Sequence, residues 1–575
     1  MPQGQPEGVK ASALEETREK LWQSIICKEI ELRAAKTKYN ATSFLNRLPV
    51  EILSKVFLDL ASAIANDFIL EPWLPKARAV SWIYVTHVCS HWREVALDCA
   101  ALWSDIQYLK PPLAEAMLSR SKRAPLSFKL SRYLNFNGEF KDVIHKILSH
   151  SERLVSVEIG SCANAAILAH FSRAAPILEK LSLCGVYPAV DLTSTFLQAG
   201  APSLKHLALS QFQIESWAVL PLGPCLTYLR IVGSAVQRPS ASQFIASIHA
   251  MPHLQTLILE NLLPEDEYPT DPVYNTIYPP PFAALGKLSL TDTVEHVTNF
   301  FSAVNLPETA KLLLEFSDSN SFDEDFLRDF LTNLGESWKG LKSGVQKLVM
   351  HEDFTIGVLT FEFYGGDCGE ADTHRPGLTM EVGEWSPANV LQVDDFIVAF
   401  TAGMNLAPLQ TLRISFFEST FFTPDMWVRA FSRFEQLQTM EFENSDSWEF
   451  LEALESDPAF KDERSPQAQE AAALSPHFPA LTTIKFKVFD FECRIGSSAW
   501  DFVFFISDVL NRRVSCPPVG LEVSRCTNFS SAHCGELEIL GVGITWDGYE
   551  DMVDSDGDEA DSDSIDYDED DSEEE

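Results

Sequence analysis

One frame recurs along this 575-residue chain and limits what it can fold into. Pro176 to Leu183 reads PILEKLSL, Pro202 to Leu209 PSLKHLAL, Pro224 to Ile231 PCLTYLRI and Pro252 to Leu259 PHLQTLIL, all Pro-x-Leu-x-x-Leu-x-Leu. The frame returns less regularly at Leu154-Val157-Ile159, Leu285-Leu288-Leu290, Thr309-Leu312-Leu314, Val345-Leu348-Met350, Leu409-Leu412-Ile414, Leu437-Met440-Phe442 and Leu481-Ile484-Phe486. The last two apolar residues stand two apart, so both point to one face of a short strand, and the first leucine packs at the turn before it. Each unit leaves its ends apolar, and only stacking on its neighbours covers them. Successive frames from Leu154 to Leu285 begin 24, 26, 22, 28 and 31 residues apart.

That period and pattern resemble the leucine-rich repeat, whose units run about 20–29 residues. The fold class this implies is α/β: an irregular leucine-rich-repeat solenoid over residues 110–550, with a curved parallel sheet and helices or irregular segments on its convex side. An ordinary layered α/β domain is the alternative. A regular repeat of this family carries Asn or Cys three residues after the second strand leucine. Here Val186, Phe212, Ser234, Leu262 and Thr293 occupy that place, so no asparagine ladder is expected. Residues 357–408 and 490–550 fit the frame poorly, although Val358 to Phe363 and Gly535 to Val542 read as strands.

Upstream of the repeats, Leu48-Pro49-Val50-Glu51-Ile52-Leu53 opens an apolar-periodic stretch. Pro49 suits the first helical position and Glu51 complements the helix dipole. Ile52, Leu53, Val56, Phe57 and Leu60 recur at helical spacing, as do Trp82, Val85, Val88, Cys89, Trp92, Val95, Ala96 and Cys99. Two amphipathic helices are expected, too few and too apolar to bury themselves, so part of their apolar face should meet another protein.

The order Leu-Pro-x-Glu-Ile-Leu, Val-Cys-x-x-Trp-Arg and Leu102-Trp103 resembles the F-box, and with the degenerate repeats behind it the chain is similar to the large fungal F-box families. The resemblance implies a Skp-type adaptor as partner and, through it, a cullin. It places Leu48, Pro49, Ile52, Leu53, Val56, Phe57, Val88, Cys89, Trp92 and Trp103 at the adaptor contact. The run Ala61 to Ser81, with Glu71 to Pro75 inside it, is longer than the link of a compact F-box and reads as an inserted loop. The domains expected are a helical leader at 1–43, the F-box at 44–106 with its insertion at 61–81, the solenoid at 110–550 and a disordered acidic tail at 551–575. In the leader, Leu14, Leu21, Ile25, Leu32, Ala35 and Tyr39 share one helix face. A single helix folded back on the F-box is favoured there over a short coiled coil.

The chain holds 44 Lys and Arg against 83 Asp and Glu, a net charge of −39. Such a body repels phosphate backbones, so nucleic acid is disfavoured and a basic protein partner fits better. The last 25 residues carry 15 acids and no base, too polar to form a core. No apolar run approaches the roughly 20 residues of a membrane helix. Eleven cysteines without a Cys-x-x-Cys pair point to reduced thiols, and the protein is expected in the cytoplasm or nucleus. Pro264 to Pro281 reads as a proline-rich surface loop and Glu455 to Pro476 as a flexible insertion.

Catalytic patterns fail on spacing. Gly541-Val542-Gly543 lacks the third glycine of a dinucleotide fingerprint, and Gly335 to Gly340 is one residue too long for a nucleophile elbow. His87 and His91 have no third ligand nearby in sequence. The expectation is a protein that is no enzyme and carries no cofactor or metal. It serves as a substrate-recognition subunit of a Skp/cullin/F-box ubiquitin ligase, its repeats binding an unidentified substrate. A non-degradative interaction scaffold is the alternative, and a hydrolase hidden in the C-terminal region is a third reading.

Overall fold

The computed structural model describes residues 7–551 apart from 71–75, 108–109, 131–137, 187, 193, 199, 215, 234–236, 267, 269–281, 318–323, 343, 354–357, 366–375, 384–389, 416–421, 446, 458–475, 493–497 and 514–515. The acidic tail beyond Asp551, most of the proline-rich loop, most of the Glu455 to Pro476 insertion and the Glu71 to Pro75 motif lie outside the described residues. The chain divides into two compact units, Met1–Gln237 and Arg238–Glu575. This division does not fall at the expected 106/110 boundary. Asp105–Ile106, at the end of the F-box-like segment, is itself a strand and pairs in parallel with Leu126–Leu130.

The first unit begins with helix α1 (Glu7–Ala41), followed by α2 (Val50–Leu70) and α3 (Ser90–Asp98). Pro49 sits one place earlier than the sequence suggests: its carbonyl accepts the Leu53 N–H that closes the first turn of α2. Much of the expected inserted loop is helical. It extends α2 to Leu70, and a 3₁₀ segment spans Lys76–His87. The second expected helix is broken at Val88 and Cys89. Cys89 is extended (φ −159°, ψ 171°), and its sulfur accepts the Trp92 N–H as the N-cap of α3. Periodicity could not foresee this, because a 3₁₀ turn followed by an α-turn keeps much the same apolar spacing. Nor does α1 fold back on the F-box-like segment. Leu14, Leu21, Trp22, Ile25, Ile30 and Leu32 on it are all exposed.

Behind these helices the first unit builds a parallel sheet in chain order from Asp105–Ile106, Leu126–Leu130, Leu154–Ala163, Lys180–Gly185, His206–Ser210 and Tyr228–Val232. In each full frame the three frame residues are buried, for example Leu178, Leu181 and Leu183, or Leu204, Leu207 and Leu209. Each such leucine contributes roughly 1.5–3 kcal/mol on burial, and it does so only with its neighbouring repeat in place.

The second unit repeats the plan with full helices. Thr256–Glu260, Lys287–Asp292 and Lys311–Phe316 are consecutive parallel strands. At Thr309 the frame shifts by one, and Ala310 takes the buried place. Val345–Asp353 comes next in sequence but not in the sheet. Leu378–Val382 pairs in parallel with Lys311–Phe316, and Val358–Gly365 lies antiparallel between Leu378–Val382 and Val345–Asp353. The poorly fitting stretch is therefore two added strands, which explains why the frame disappears there. Parallel order resumes through Thr411–Ser415, Thr439–Glu443, Thr483–Lys487, Gly520–Ser524 and Ile544–Trp546. Gly535 to Ile539, expected as strand, belongs instead to the helix Ser531–Ile539.

Helices such as Val294–Ala303, Pro424–Phe431 and Ala499–Asn511 start at Thr293, Thr423 and Ser498, whose side-chain oxygens accept a first-turn N–H. Phenylalanines fill the layer between helices and strands: Phe486 stacks on Phe442 at 6.0 Å and meets Phe502 edge-on at 5.7 Å.

A backbone ladder stands where an asparagine ladder is missing. Two residues beyond the last buried strand position, Gln211, Asn261, Asn444, Val488 and Arg525 adopt φ of 48–61°. The N–H groups of Gln211, Asn261, Asn444 and Val488 donate to Val232, Thr291, Lys487 and Ser524, each at the end of the following repeat strand. At these four turns the main chain supplies the bond, and the Arg525 N–H donates to Asp547 Oδ2 at 2.9 Å, so no asparagine side chain is needed there.

Candidate functional site

The residues that the F-box resemblance places at an adaptor contact separate into two sets. Ile52, Val56 and Val88 are exposed at 49%, 47% and 59%. Leu53, Phe57 and Trp103 are 1% exposed and serve the chain's own core. The reason is helical geometry: Ile52, Val56 and Leu60 form one i, i+4 stripe on α2, while Leu53 and Phe57 form the adjacent stripe turned inward. Pro49 is exposed, and Leu48, Cys89 and Trp92 are half-buried. A direct partner contact for Leu53, Phe57 and Trp103 is thus corrected to a supporting role, because their surfaces are already covered.

The inner stripe fixes the outer one. Phe57 packs on Trp92 with ring centroids 5.3 Å apart, and Trp82 meets Trp103 edge-on at 5.1 Å. Trp103 Nε1 donates to the Ala96 carbonyl at 2.7 Å, and the Arg120 guanidinium lies 4.4 Å over its ring. Asn46, which sequence reading passed over, holds the entry to α2. Its Oδ1 accepts from Trp92 Nε1 at 2.7 Å and from Cys89 Sγ at 3.8 Å, and its Nδ2 donates to the Asn40 carbonyl at 2.7 Å. No motif flagged it, because a lone asparagine before a proline reads as turn chemistry. Phe44, Leu45, Val50, Leu60 and Tyr84 add further exposed apolar surface to this segment. Of these only Leu60 carried a signal, its i, i+4 place after Val56.

The open sheet faces are the second candidate surface. In the first unit, His206 and Tyr228 are register partners, and their rings stack at 3.9 Å and 10°. Burial, followed by the nearby Lys180 charge, pushes the His206 imidazole down to about 4, so it is neutral at physiological pH. Glu158 takes Lys180 at 2.6 Å and Lys129 at 3.3 Å.

In the second unit, Glu443 receives Lys487 at 2.6 Å and the Arg413 guanidinium, and Arg413 also lies 3.8 Å from Glu441. Lys485 pairs with Glu522 at 2.5 Å. Acids collect around the inserted strands. Glu315 and Glu381 are register partners. Burial, then the Glu315 and Glu362 charges, raise the Glu381 carboxyl above its ordinary range. Tyr364 donates to Glu362 at 2.9 Å and is pushed up to about 12, chiefly by burial and then by that carboxylate. Alternation along the strands puts these groups opposite the buried leucine rows, as any one-sided sheet requires.

No protein-family model matches the chain, and no curated protein matches it. Among solved structures it is similar to the yeast Rad7 and Elc1 complex, with 14% identity over 74% of this chain and 95% of that one, at a TM-score of 0.30. It is also similar to the leucine-rich repeat-containing protein LegL7 from Legionella pneumophila, with 11% identity over 72% of this chain and 96% of that one, at a TM-score of 0.23.

Proposed function

We propose that the chain is a substrate-recognition subunit of a Skp/cullin/F-box ubiquitin ligase, acting in the cytoplasm or nucleus. The observation that carries this reading is the exposed Ile52, Val56 and Leu60 stripe on α2, at the place where the F-box resemblance puts the adaptor. Water disfavours such a stripe, and an adaptor helix or groove would cover it. The repeats supply the substrate end through side chains on the open strand faces. The chain performs no bond chemistry in this reading. It raises the local concentration of a substrate lysine near charged ubiquitin. The acidic set around Glu381 favours a basic substrate segment.

The test is co-expression of the full chain with a Skp-type adaptor, comparing the natural sequence with Ile52→Glu/Val56→Glu. Both positions are exposed, so the variant should fold, and circular dichroism melts check this. Stoichiometric co-purification that the variant loses supports the reading. Absence of a complex with the natural chain overturns it. Cullin recruitment and ubiquitination of a captured partner then distinguish a ligase receptor from a scaffold that uses the same surface without degradation.

A further inference from the structure

We propose that α1 pairs in antiparallel fashion with α1 of a second copy of this chain. The helix runs Glu7–Ala41, and from Leu14 onward its apolar side chains are mostly open to water, including Leu21 at 61%, Ile25 at 48% and Leu32 at 54%. Isolated helices are marginal in water and draw their stability from burying an apolar face. Local ion pairs such as Glu16 to Lys20 at 2.9 Å and Glu29 to Arg33 at 3.6 Å add only tenths of a kcal/mol each. Among the described residues no partner surface covers this face, and the sequence of the helix says which surface fits.

Between Leu14 and Tyr39 the residues at alternating steps of four and three are Leu14, Arg18, Leu21, Ile25, Lys28, Leu32, Ala35 and Tyr39, the spacing of a coiled-coil seam. Aligned in parallel with itself, this seam sets Arg18 against Arg18 and Lys28 against Lys28 in its own core, two like-charge layers. Reversed, the same seam becomes self-complementary. Leu21 faces Leu32, Leu14 faces Tyr39, Arg18 faces the small Ala35, and Lys28 lies along Ile25 with its ammonium free to reach water.

The flanking charges agree with the reversed order. Glu15 beside the first layer meets Lys36 of the other copy, and the two-fold axis makes this contact twice. A second copy in reversed order leaves no like-charge layer in the seam.

The experiment is sedimentation equilibrium of the full chain over a wide concentration range. The natural sequence should approach the mass of two chains. Leu32→Glu, at an exposed position, should raise the dissociation constant at least about tenfold while leaving the thermal melt of the remaining fold in place. Glu15→Lys sets two ammonium groups against each other, the introduced one and that of Lys36 on the other copy, and should weaken pairing. The double exchange Glu15→Lys/Lys36→Glu should restore it. A parallel pair would show no such rescue, because there position 36 faces Glu31. A single-chain mass at every concentration, a dimer indifferent to Leu32→Glu, or a double exchange no tighter than Glu15→Lys alone would each overturn the proposal. Pairing through α1 makes no use of the α2 stripe, so it stands or falls independently of adaptor binding.

Discussion

Trp92 Nε1 donates to Asn46 Oδ1 at 2.7 Å across 46 residues of sequence, tying the turn before α2 to the first turn of α3. That bond holds the Trp92 ring against Phe57 and, through it, the angle at which Ile52 and Val56 face outward. Asn46→Ala leaves the indole N–H half-buried without its acceptor. The expected cost is about 1 kcal/mol, read as a lower urea midpoint, together with weaker adaptor capture. Asn46→Asp, which keeps an acceptor for the indole, should lose less of both.

Val488 holds φ at +49° on the surface of the second unit. A β-branched residue is strained in that conformation, whereas glycine enters it without a steric penalty. Val488→Gly is therefore expected to stabilise the fold, by about 0.5–1 kcal/mol, and to raise the melting temperature. Its N–H bond to Ser524 is retained, and the greater freedom of glycine in the unfolded chain offsets only part of the gain. An equal or lower melting temperature would show that the strain at Val488 does not exceed the entropy that glycine adds to the unfolded chain.

Asp292 is fully buried and collects five bonds. Arg238 donates to both of its oxygens at 2.8 and 3.0 Å, and the Leu263 N–H, the Thr293 N–H and His296 Nδ1 lie at 2.9–3.0 Å. Burial alone would raise its carboxyl, but the bonds from Arg238, His296 and Thr293 outweigh it and hold the group below the usual range. A depressed carboxylate contributes stability that is fully present above the unfolded value and is lost as pH falls through the folded one. Asp292→Ala should cost about 3 kcal/mol or more at neutral pH, by removing the buried partner of Arg238, which is left with the exposed Glu265 at 3.3 Å as its ion-pair partner, and by leaving the Leu263 and Thr293 N–H groups without that acceptor. Urea titrations on acidification should show a shallower loss for the variant than for the natural chain.

Glu381 runs the opposite way. Its carboxyl is raised, so the folded state favours the protonated form, and the contribution present at low pH disappears as pH climbs through the folded value. Glu381→Gln should therefore raise the melting temperature at neutral pH, and the difference should vanish in acid, where Glu381 itself is neutral. A variant less stable at pH 7 would mean that the carboxylate has stabilising partners that outweigh Glu315 and Glu362.

The repeat was legible because its frame is local. Leu178, Leu181 and Leu183 are buried as their spacing requires, and the same holds at Leu254, Leu257 and Leu259 and at Leu481, Ile484 and Phe486. Leu521 and Val523 continue the sheet within a stretch whose frame was too weak to see. The α2 start was likewise readable to within one residue, from a proline and an acid before an apolar run.

Chain neighbours alone determined the strands that carry the repeat frame and the apolar stripes of α2, since a period of two or of 3.6 is written in consecutive side chains. Partners distant in sequence decided the rest. Whether Ile52 or Leu53 would face water depended on Trp92 packing against Phe57 on the inner side of α2. Whether Val345–Asp353 would follow Lys311–Phe316 in the sheet depended on Val358–Gly365 and Leu378–Val382 pairing between them. A strand's hydrophobic pattern says that it must be covered and paired. It does not say by whom, because every apolar strand offers the same backbone groups, and only the assembled fold selects among them.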